Sequence, residues 1–78
     1  MARKPPRPVL VKLMYGPADG DAFEVDPRRM RQFRGRVLEA WIRGHYYASK
    51  VPWNGRAKAV ALWDQGREGQ CVTHIRAG

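Results

Sequence analysis

One serine, one threonine, two histidines and one cysteine are all that this 78-residue chain offers of nucleophiles and soft metal ligands. Cys71 has no partner for a disulfide within the chain, which favours a reducing compartment. A zinc site needs three or four ligands. Cys71 and His74 supply two at Cys-x-x-His spacing, and His45 would have to come from elsewhere, so no metal is expected. Ser49 and His45 are four apart on an expected strand, hence about 13 Å apart, too far for one to activate the other. No catalytic set and no cofactor follow from these residues. Long apolar runs are also missing, so nothing reaches the roughly 20 residues that cross a bilayer as a helix. Met1-Ala2-Arg3-Lys4 runs straight into Pro5-Pro6-Arg7-Pro8 without the apolar centre of a signal peptide, and a cytoplasmic protein is expected.

Acidic residues are scarce as well. Seven Asp and Glu against fifteen Lys and Arg leave a formal charge of +8, which favours nucleic acid, an acidic protein surface or anionic lipid as partner. Most of the cations are arginine, a composition that GC-rich coding alone also produces. At this length there is room for a single domain, close to the size at which one core is just sufficient.

Residues 1–8 read as a basic, proline-rich flexible arm carrying Arg3, Lys4 and Arg7, and residues 9–78 as one domain. Val9 to Tyr15 alternates as a strand does. Gly16-Pro17-Ala18-Asp19-Gly20-Asp21 is dense turn chemistry, and Ala22 to Val25 resumes the alternation, so the unit reads as a β-hairpin. Asp26 suits a helix N-cap, Pro27 the first helical position and Gly44 the residue past the end. Between them, six arginines are interleaved with Met30, Phe33, Val37, Leu38, Trp41 and Ile42. At 100° per residue the apolar side chains share one arc, and Arg28, Arg29, Arg36 and Arg43 cluster opposite. The pattern predicts a helix from Pro27 to Arg43 with a guanidinium stripe suited to phosphate or carboxylate, although a solvated helix face looks the same. Gly35, in its middle, costs about 1 kcal/mol against alanine.

His45 to Val51 reads as a strand, Pro52-Trp53-Asn54-Gly55 as a hairpin turn, residues 56–63 as strand or helix, residues 64–70 as a turn and Cys71 to Ile75 as a last strand. The expected fold is α+β in the order ββαβββ, one helix packed on a largely antiparallel sheet. Trp53, at the tip of the expected hairpin, reads as an exposed contact residue. Tyr46, Tyr47 and Trp63 lie near Lys50, Arg56 and Lys58 in sequence, and aromatics beside cations suit base stacking with backbone neutralisation. The Gly16-Pro17 loop is no phosphate loop. It lacks the Lys-Ser or Lys-Thr of that motif and carries Asp19 and Asp21, which repel an anion.

The Gly16-Pro17-x-Asp19-Gly20 hairpin, with His45-Tyr46-Tyr47 later in the chain, resembles a group of small phage and prophage proteins that open with a Gly-Pro-x-Asp-Gly hairpin and carry a later His-x-Tyr strand. Members often show Gly-Gly-Pro where this chain has Tyr15-Gly16-Pro17. The resemblance covers about a third of the chain and implies phage origin without an activity. Taken together, the expectations are a non-enzymatic binding module that holds nucleic acid through Arg28, Arg29, Arg36, Arg43 and Trp53. Lys50, Arg56, Lys58 and the arm are expected to assist. The alternatives are an inhibitor of the anti-CRISPR type, docking on an acidic surface of a host nucleic-acid-processing complex, and a virion or assembly component.

Overall fold

In the computed structural model, which describes residues 7–69 and 75–77, strand accounts for 51% of the described residues and helix for 11%, so the expected helix-on-sheet fold is wrong. Six strands form one sheet curled into a half-barrel: β1 (Val9–Met14), β2 (Ala22–Val25), β3 (Leu38–Ile42), β4 (His45–Ala48), β5 (Ala59–Glu68) and β6 (Ile75–Ala77). Their order is β2-β1-β5-β4-β3-β6, with β1 and β5 parallel and every other neighbouring pair antiparallel. The β1–β2 hairpin forms as its alternation implies. Val9, Val11 and Leu13 are buried on the concave side, and Val9 lies opposite Val25.

The long arginine helix does not form. Asp26 and Pro27 do start a helix, and the Asp26 carboxylate accepts the Arg28 backbone N–H at 2.8 Å. That bond, ahead of the neighbouring guanidinium charge, holds the carboxyl below its ordinary range. Helix α1 ends at Met30, however, and a single 3-10 turn covers Arg31–Phe33. Arg34 then turns to an extended ψ of 127° and Gly35 takes φ 75°, a left-handed conformation that glycine adopts without strain. Beyond it, Leu38, Ala40 and Ile42 alternate inward while Glu39 and Trp41 face the convex side, which is the period of a strand. Arg43 and Gly44, at φ 53° and 78°, make the two-residue turn into β4 that a twisted hairpin favours. Cross-strand pairing thus replaces five positions of the expected helix, Leu38 to Ile42. Met30, Phe33 and Ile42 are buried as expected, whereas Trp41 is half-buried on the other face.

Two further expectations change. Asn54-Gly55 does not join two strands directly but lies inside a longer connection from Ser49 to Lys58. There the Asn54 side chain accepts the N–H groups of Arg56 and Ala57 at 2.8 and 2.9 Å. This connection folds back on residues 34–36: Gly35 donates to the Trp53 carbonyl at 2.7 Å, and Trp53 donates to the Arg36 carbonyl at 3.0 Å. Trp53 is consequently 7% exposed, with its indole N–H donated to the Ala57 carbonyl at 3.1 Å. It belongs to the core. Residues 64–68 continue β5 instead of turning, because their Asp64 and Gly66 turn chemistry makes a bulge. Four steps from Asp64 to Glu68 face two from Tyr47 to His45. The expected strand over Cys71–Ile75 lies outside the described residues except for Ile75, which begins β6.

Candidate nucleic-acid interface

The strand directions sort the charges. At the end of the sheet where β1 and β5 begin, here the lower end, Arg7 precedes β1, Arg56 and Lys58 precede β5, and Arg28 and Arg29 lie in α1 just beyond β2. Arg34 and Arg36 join them because the backbone of residues 34–36 is bonded to Trp53. These side chains are exposed. Neither Arg34, which the helical reading puts inside the apolar arc, nor Arg31 was among the site residues expected from the sequence. Arg34 extends across Gly55, where an added Cβ would come within 2.9 Å of its Nε, so the glycine makes room for the guanidinium. Nearby acids are Glu24, Asp26 and Glu39, and two of these are occupied: Asp26 pairs with Arg28 at 3.5 Å and Glu39 with Arg76 at 2.9 Å. The upper end instead gathers Asp19, Asp21, Asp64 and Glu68.

Arg43 belongs to that upper end. Its guanidinium bonds the Pro17 carbonyl at 3.0 Å and Asp21 at 3.1 Å, tying the β3–β4 turn to the β1–β2 loop. Arg28, Arg29, Arg36 and Arg43 therefore form no single stripe, and Arg43 and Trp53 leave the candidate site as structural residues. Arg3 and Lys4 lie outside the described residues.

A second feature lies on the convex face. Trp63 of β5, Tyr46 of β4 and Trp41 of β3 point outward, since each is out of phase with its buried neighbours Leu62, Tyr47 and Ala40 or Ile42. Trp41 and Tyr46 pack with ring centroids 5.3 Å apart, and Tyr15 packs on Trp63 at 5.5 Å. Each pair has a cation. Lys50 places its ammonium 3.9 Å from the Trp63 ring, and Arg67, aimed by the β5 bulge, lies 4.7 Å from Tyr46. The Tyr46 hydroxyl donates to Glu39, and partial burial followed by this carboxylate raises the phenol above its ordinary value. Tyr47, expected beside these residues, is fully buried and serves the upper loop. Its hydroxyl accepts the Ala18 N–H at 3.1 Å and donates to the Tyr15 carbonyl at 2.8 Å. A side chain at Gly16 would collide with this hydroxyl and with the Asp64 carboxylate.

Other polar groups have structural work. Ser49 accepts the Leu38 N–H at 2.9 Å and donates to the Val51 carbonyl at 3.1 Å, which fastens β4 to the start of β3. His45 lies 3.3 Å from Asp64 and 3.8 Å from Glu68, and among the described residues no group of three ligating side chains could hold a metal ion. A groove of about 640 Å³ follows the seam between β2 and the β3–β6 edge, floored by Leu13, Phe23, Phe33 and Ile42 with Arg29 and Arg43 among its charged residues. No helix among the described residues is long and apolar enough to cross a membrane. No protein-family model, curated protein or solved structure matches the chain.

Proposed function

We propose that this chain is a non-enzymatic nucleic-acid-binding module whose electrostatic footprint is the lower end of the half-barrel. The observation that supports the reading is the segregation of charge. Exposed arginines and lysines from four separate segments meet at one end, with Asp26 and Glu39 already paired. A polyanion gains from such a cluster because each phosphate it neutralises releases condensed counterions. Arg28, Arg29, Arg36, Arg56, Lys58 and Arg7 take the role first expected of a helix stripe.

The test is a salt titration of binding to duplex and single-stranded DNA and RNA. The quadruple variant Arg28→Gln, Arg36→Gln, Arg56→Gln and Lys58→Gln is titrated beside the parent chain. If all four side chains touch phosphates, the slope of log K against log salt on a single strand falls by about 3, at roughly 0.7 per contact. The folding transition should be unchanged because these side chains are exposed. Absence of binding to any nucleic acid at low salt removes this reading and promotes an acidic protein surface as the partner.

A further inference from the structure

We infer that the nucleic acid is single-stranded and that its bases stack on two aromatic platforms of the convex sheet face, Tyr15–Trp63 and Trp41–Tyr46. The inference rests on the nucleic-acid reading and adds the substrate class and the contact residues.

Reading base edges in a duplex needs an element that enters a groove, such as a helix or a two-stranded ribbon. Helix α1 has four residues. The β1–β2 hairpin presents Asp19 and Asp21 at its tip, where phosphates repel them, and the β3–β4 turn has its Arg43 bound to Asp21 and Pro17. Neither ribbon suits a groove. A single strand, by contrast, offers base faces that stack on aromatics of any surface open to them.

The convex face is built for display. Tyr15 is 61% exposed and takes φ 67°, a strained region for a residue that is not glycine. Tyr47 and Asp19 hold it there: the Tyr47 hydroxyl donates to its carbonyl, and the Asp19 carboxylate accepts its N–H. The chain thus sustains backbone strain to keep an aromatic ring in water beside Trp63. From strand spacing and rise, Trp63 and Tyr46 are roughly 8 Å apart on neighbouring strands, within reach of one short segment of nucleic acid. Lys50 and Arg67 are exposed and sit over the rings. Moving an exposed cation from a ring to a phosphate gives up a weak contact, whereas a stacked base gains more than that contact supplies.

The experiment measures fluorescence anisotropy of a labelled 12-nucleotide oligothymidine and of a 12-base-pair duplex at one fixed low salt concentration. The proteins are the parent, Tyr15→Ala and Trp63→Leu, the first an exposed site and the second keeping apolar bulk. Each substitution is expected to weaken single-strand binding about 5- to 150-fold, leaving the duplex affinity unchanged. Quenching of tryptophan fluorescence by the oligothymidine, reduced in Trp63→Leu to the share that Trp41 contributes, is the second readout. Variants that bind the single strand as the parent does, or a parent that prefers the duplex, overturn this inference while the nucleic-acid reading stands. No binding to either probe overturns both.

Discussion

Tyr47→Phe removes a single oxygen, and the structure allows its effect to be worked out. The hydroxyl accepts the N–H of Ala18, which is fully buried, and donates to the Tyr15 carbonyl in an exposed loop. Water can replace the hydroxyl at Tyr15 but not at Ala18. The lost bond contributes about 0.5–1.5 kcal/mol, and the stranded N–H costs about 1–3 kcal/mol, so about 2 kcal/mol is expected. A domain of this length has roughly 4–12 kcal/mol in total, so the loss is large but leaves the protein folded. At about 4–8 °C per kcal/mol, the melting temperature should fall by roughly 8–16 °C, read by far-ultraviolet circular dichroism and checked by urea unfolding. Because the same hydroxyl holds the Tyr15 carbonyl, packing of Tyr15 on Trp63 should loosen too, and oligothymidine affinity should drop at temperatures where the variant is still folded. A loss below about 0.5 kcal/mol would refute the reasoning, since it would mean that the Ala18 N–H is not dependent on Tyr47.

Trp53→Ala should cost about 3–5 kcal/mol in urea unfolding, as for other buried aromatics, and a change within about 0.5 kcal/mol would return Trp53 to the surface. Tyr46 should ionise above the usual value of 10.0, because burial and Glu39 disfavour its phenolate. Its contribution to stability is therefore intact below pH 10 and is lost as pH rises through the raised value in the folded protein. The difference in phenolate absorbance between parent and Tyr46→Phe should appear only above pH 10, and its appearance at lower pH would contradict the Tyr46–Glu39 contact.

The β1–β2 hairpin was legible because alternation and turn residues agreed over a short span, and Asp26-Pro27 marked a helix start for the same local reason. The segment from Arg34 to Ile42 was not. Its apolar residues satisfy a helical arc and a strand alternation alike, and the choice depends on a partner strand, His45–Ala48, that a helical reading does not weigh. Gly35 was the local sign of a break, and Arg43-Gly44 of a two-residue turn. Trp53 was misplaced because burial at that site comes from residues 34–36, far away in sequence but bonded to it in the fold.

The sequence by itself determined a small basic domain with aromatics placed near cations, since charge and composition do not depend on how the chain folds. Tertiary structure alone decided which of those residues share a surface. The curl of the sheet and the return of the 49–58 connection separate Arg43 from the other arginines and bury Tyr47 and Trp53. The pleat turns Trp41, Tyr46 and Trp63 outward. The physical reason is that strand pairing is non-local: the face a residue occupies is set by a register with a distant segment, and one step of register moves a side chain from core to solvent.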